Sequence, residues 1–158
     1  MATSGWIQNI TFTKCVIANT GQGGLVLERC NGCTVDDSEV YGVGATGITV
    51  SGGNHKTLAH SDNLIKNCSI HRYARWSRAY KPGLQWAGVG NSFIGNRVFD
   101  APSQAVVGGG NEAVCGTCHR DHKDNLQCSN SFEVSDDQAA CGGNDNLWSG
   151  NYFANISW

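Results

Sequence analysis

Charge is scarce in this chain. Of 158 residues, 11 are Lys or Arg and 13 are Asp or Glu, for a formal net charge of −2, so neither nucleic acid nor an anionic membrane surface finds an electrostatic footprint. Proline occurs twice and methionine once. No apolar run approaches the roughly 18 residues of a membrane-spanning helix, and no membrane insertion is expected. The opening residues, MATSGWIQNITF, lack the charged and apolar regions of a secretory signal. The length fits one domain over residues 1–158, with an open repeat compatible with a section of a longer molecule.

Glycine and asparagine are abundant, at 21 and 15 residues. Both accept the left-handed backbone conformation that tight corners require. Residues 72–111, RYARWSRAYKPGLQWAGVGNSFIGNRVFDAPSQAVVGGGN, read as one full turn of a repeat: Asn, short apolar strand, Asn, second strand, glycine corner. Looser versions occupy 31–54 and 144–157. A spacing of about 20 to 30 residues carrying short strands and no helix marks a β-solenoid. The expected coils cover 7–30, 31–60, from 63, from 90, from 111 and from 144, about six in all.

Alignment of the coils puts Ile17, Val40, Ile70, Val98 and Phe153 in one column. Cys15, Ser38, Cys68, Asn96 and Asn151 stand two residues earlier. Two residues apart on a strand is the same face, so both columns point inward, and Asn96 and Asn151 belong to an internal amide ladder with the fifth coil between them. Val16, Glu39, Ser69, Arg97 and Tyr152, between the columns, face solvent. Leu25, Leu27, Ile48, Val50, Leu84, Trp86 and Val106 form a second inward set.

This pattern resembles the right-handed parallel β-helix family built of pectate-lyase-type β-helix repeats. Residues 75–111, with an RW insertion, a GVGN corner, a DAP turn and a GGN corner, are similar to secreted β-helix proteins. The resemblance implies an all-β fold, a single right-handed parallel β-helix, and a carbohydrate role. That role is acting on or binding a polysaccharide as lyase, glycoside hydrolase or non-catalytic glycan-binding module. A structural or adhesive module in a larger assembly is the alternative. After Asn111 the sequence leaves the pattern.

Candidate chemistry lies in two places. His119, Arg120, Asp121, His122, Lys123 and Asp124 supply acid, base and cation within one short run. If a fifth coil stacks on the fourth, Asp100 lies one coil below them and completes a carboxylate pair. In catalysis centred on His119 to Asp124, Asp121 or Asp124 would be base or nucleophile, His122 the proton carrier, and Arg120 or Lys123 the stabiliser of negative charge. A solvated loop of self-pairing charges has the same composition. The insertion 72–82 supplies Arg72, Tyr73, Arg75, Trp76, Arg78, Tyr80 and Lys81, and aromatic faces beside cations suit an acidic saccharide. The same residues would serve a loop folded back on the flank with Trp76 and Tyr80 buried.

Eight cysteines in 158 residues favour a secreted or extracellular setting. Cys15 and Cys68 point inward as free thiols, and Cys30 and Cys33 share a corner and are close enough in sequence to bridge. Cys115, Cys118 and His119 match a haem c attachment pattern. The same residues with His122 or Cys128 match a zinc set, and disulfides among Cys115, Cys118, Cys128 and Cys141 are the more ordinary outcome. No cofactor and no metal are expected. Three N-x-S/T sequons, at Asn9, Asn67 and Asn155, are close to the chance number for this composition. Open β-helix ends call for capping or self-association.

Overall fold

The structure, a computed structural model, describes residues 7–54, 57–108, 117–120, 126–129 and 145–156. The described chain is built almost wholly of short strands stacked in parallel. Three sheets form the walls. The first stacks Thr11–Thr13, Thr34–Asp36, Leu64–Lys66, Ser92–Ile94 and Leu147–Ser149. In the second lie Val16–Ala18, Glu39–Tyr41, Ser69–His71, Arg97–Ala101 and Tyr152–Ile156. Leu25–Leu27, Ile48–Gly52, Leu84–Gly88 and Val106–Gly108 make the third. A short parallel pair, Ile7–Gln8 with Cys30–Asn31, precedes the first sheet.

Strands this short must turn sharply, and the turns follow one rule. Left-handed residues stand in register at three corners: Asn9, Gly32, Asp62, Gly90 and Asp145 before the first sheet; Lys14, Asp37, Asn67, Gly95 and Gly150 between the first and second; Asn19, Gly42, Arg72, Asp100 and Asn155 after the second. Only Lys14 and Arg72 depart from Gly, Asn and Asp, the residues that tolerate this backbone at least cost. These corners take five of the glycines and four of the asparagines. All three sequon asparagines are corner residues.

Side chains alternate across each strand. Ile17, Val40, Ile70, Val98 and Phe153 are register partners, as the alignment requires. Val40, Ile70 and Val98 are fully buried. The second inward set also stacks as expected: Leu25, Ile48, Leu84 and Val106 in one column, Leu27, Val50 and Trp86 in the next. A third inward column of Phe12, Val35, Ile65, Phe93 and Trp148 closes the core from the first sheet, with Phe93 and Trp148 rings stacked 4.0 Å apart.

Two polar ladders run inside. Cys68 N–H donates to Asn96 Oδ1 at 3.0 Å, and Asn96 Nδ2 donates to Asn151 Oδ1 at 3.0 Å. One corner away, Cys33 N–H donates to Asn63 Oδ1 at 3.0 Å, Asn63 Nδ2 to Asn91 Oδ1 at 3.1 Å and Asn91 Nδ2 to Asn146 Oδ1 at 3.0 Å. Asn63, Asn91 and Asn96 each accept from the coil below and donate to the coil above, while Asn146 and Asn151 donate back to Gly88 O and Phe93 O, so buried backbone groups at the corners are satisfied. Cys30 and Cys33 form a disulfide, while Cys15 and Cys68 are free. Burial raises the pKa of the Cys68 thiol.

The fifth coil needs correction. Arg97–Ala101 pairs directly with Tyr152–Ile156, and Ser92–Ile94 directly with Leu147–Ser149. Nothing stacks between Asn96 and Asn151. Thr117–Arg120 and Leu126–Ser129 instead pair antiparallel with each other. The described stack therefore has five coils rather than six. At the entry to its last coil, Asp145 Oδ2 meets His60 Nε2 at 3.2 Å.

Candidate functional site

The insertion 72–82 leaves the corner after the second sheet in the third coil and returns to the third sheet at Leu84. Its first half is fixed from below. Ala74, Arg75, Trp76 and Ser77 donate backbone N–H groups to the carbonyls of Ala45, Val43, Gly44 and Gly44 over 2.8–3.2 Å. Arg75 Nη1 adds a longer contact to Gly42 O at 3.4 Å. Gly44 in turn packs against the first coil, where a Cβ would stand 2.3 Å from Gly21 O.

Tyr73 turns inward, with no solvent exposure, and its hydroxyl donates to Gln104 O at 3.0 Å. Burial holds its pKa well above the ordinary tyrosine range. Tyr73 therefore anchors the loop, and the expectation that it joins the binding set is corrected. Trp76 and Tyr80 turn the other way and are 78% and 76% exposed. Arg75 and Arg78 are exposed beside them, with Lys81 half-buried at the return. The folded-back alternative, with both aromatic rings buried, does not occur.

Arg72 leaves the loop set and belongs to the outer face of the second sheet. Its Nε donates to His71 Nδ1 at 3.2 Å, and its guanidinium carbon lies 5.4 Å from the Tyr41 ring centre. An Nδ1 that accepts leaves the ring proton on Nε2, which points at Glu39 Oε1, 3.0 Å away. His71 is itself sandwiched, 5.3 Å from Tyr41 and 4.8 Å from Phe99, with all three rings nearly parallel. The Arg97 guanidinium carbon lies 5.7 Å from Phe99 and 6.0 Å from Tyr152. This aromatic and cationic strip escaped the sequence reading. Its signal was present, because Tyr41, His71 and Phe99 each follow an inward column residue, but three different residue types do not announce one column.

Asp100 is exposed at a left-handed corner, in the same column as Arg72, whose N–H donates to its carbonyl at 3.0 Å. Its neighbour in the stack is Asn155, not the 119–124 run. His119 and Arg120 lie on the antiparallel pair, opposite Gln127 and Leu126. Asp121, His122, Lys123 and Asp124 lie outside the described residues, as do Cys115 and Cys141. Cys118 and Cys128 are register partners in the same pair. The convergence expected of Asp100 with that run rested on a stacked fifth coil, which the strand register does not provide.

A depression of about 550 Å3 opens at the far end of the second sheet, lined by Ala105, Val106, Phe153, Ala154, Asn155 and Ile156. Among the described residues no helix is long and apolar enough to cross a membrane. The model of the family described as a right handed beta helix region matches residues 1–157. No curated protein and no solved structure matches the chain.

Proposed function

We propose, for a chain that belongs to the right-handed β-helix family, that it binds an acidic polysaccharide through the 72–82 loop. One observation carries the reading: Trp76 and Tyr80, the two most exposed large aromatics among the described residues, stand on a loop that Tyr73 and four backbone hydrogen bonds hold in place. Leaving two such rings in water forgoes apolar burial, and exposed rings on a fixed support are a feature of binding surfaces. Arg75, Arg78 and Lys81 give the loop its sign. Guanidinium groups match carboxylates bidentately, so a sugar chain with uronate groups satisfies rings and cations together. The same reading sets the protein outside the cell, where such polymers occur and the Cys30–Cys33 disulfide persists.

The test is a panel of immobilised acidic and neutral polysaccharides, with tryptophan fluorescence as a second readout. Binding to acidic members that weakens with added salt supports the reading, and binding to none removes it. Unsaturated-product absorbance in the same mixtures reports whether binding is accompanied by lyase turnover.

A further inference from the structure

We propose that the end of the aromatic stack on the second sheet, where Ala154 follows Phe99, is a separate subsite for one anionic sugar ring, with Arg97 as its carboxylate partner. This rests on the saccharide reading above, but on different residues. The outward column runs Ala18, Tyr41, His71, Phe99, Ala154. Three rings stack at 5.3 and 4.8 Å, close to the strand spacing of about 4.8 Å, and the next position holds only a methyl group. Among the described residues, one face of Phe99 therefore lacks the ring partner that His71 provides on the other. The vacancy has the thickness of a ring.

Its surroundings fit a sugar acid. Tyr152, two residues before Ala154 on the same strand, is 55% exposed and forms one side. Arg97 places its guanidinium within 6.0 Å of both the Phe99 and Tyr152 ring centres. A pyranose can lay its C–H face on Phe99 while its carboxylate reaches Arg97. Asp100, exposed at the corner beside Phe99, is an acceptor for sugar hydroxyls. At the opposite end, Ala18 leaves a similar step against Tyr41. There Arg72 already lies over the Tyr41 ring and donates to His71, and Glu39 is held by the same imidazole. The Phe99 step lies two coils from the loop, roughly 10 Å along the stack, a distance that a short oligosaccharide spans.

The experiment is calorimetric titration of the intact chain with a uronic-acid oligosaccharide and its neutral methyl ester. Wild type is expected to prefer the acid. Ala154→Phe extends the ring stack into the vacancy, so it should keep or raise the thermal midpoint while weakening the acid by about tenfold. Arg97→Gln should erase most of the preference for acid over ester. If Ala154→Phe folds and binds like wild type, the subsite is overturned while the loop reading stands. If wild type binds neither sugar but binds other acidic polymers through Trp76, the subsite falls in the same way. If wild type binds no saccharide at all, both readings fall.

Discussion

Asn96 and Asn151 lie 55 residues apart in sequence and share one contact: the backbone N–H and Nδ2 of Asn96 both donate to Asn151 Oδ1, at 2.9 and 3.0 Å. Cys68 and Asn96, 28 residues apart, repeat the backbone half of that contact at 3.0 Å. Sequence separation nearly doubles and the geometry does not change. The described coils keep their register across the longer stretch of sequence, because each amide reads only its immediate neighbour.

Asn96 is fully buried, and its Nδ2 also donates to Ile65 O at 2.8 Å. Replacing it with Ala leaves the Cys68 N–H without its acceptor, away from water. Asn96→Ala should therefore cost about 1–3 kcal/mol in urea unfolding, the range for one buried group left unsatisfied. A loss under about 1 kcal/mol would show that the ladder does not hold the coils in register.

Val98 has no solvent exposure and stacks between Ile70 and Phe153. Val98→Asp puts an unpaired carboxylate in the core at a cost of several kcal/mol, enough to unfold a chain of ordinary stability. Circular dichroism should lose its strand signal. A folded variant with wild-type stability would mean that this column does not face inward.

Much of this was legible in the sequence, and the failures share one cause. The inward columns could be read because alternation on a strand needs only neighbouring residues. The fifth coil was misread because 55 residues is close to twice 28, so an added stretch of one repeat length imitates a coil. Tyr73 was misassigned because composition cannot say which ring of RYARWSRAY turns inward. That choice depends on Gln104 O, supplied by the next coil. The His71 sandwich likewise depends on three strands brought together only by stacking.

Alkaline pH should weaken the fold. Burial raises the pKa of both the Cys68 thiol and the Tyr73 hydroxyl, so the folded chain holds these protons more tightly than the unfolded one. The stability they contribute is complete below the unfolded values, about 8.5 and about 10, and is lost as pH rises past them towards the folded values. The urea midpoint should fall across that window, and Tyr73→Phe should flatten its upper part. A midpoint in wild type that stays level up to about pH 11 would contradict the burial of both groups.

The proposed role of the loop is tested most directly at Trp76. Its ring is 78% exposed, so Trp76→Ala removes contact surface for a ligand while leaving the core and the Tyr73 anchor intact. Titration of both proteins with an acidic oligosaccharide at low salt should show affinity weakened by about 1–3 kcal/mol, with thermal midpoints that coincide. Equal affinity in the two proteins, or a midpoint that drops together with affinity, would contradict the assignment of the loop as the binding surface.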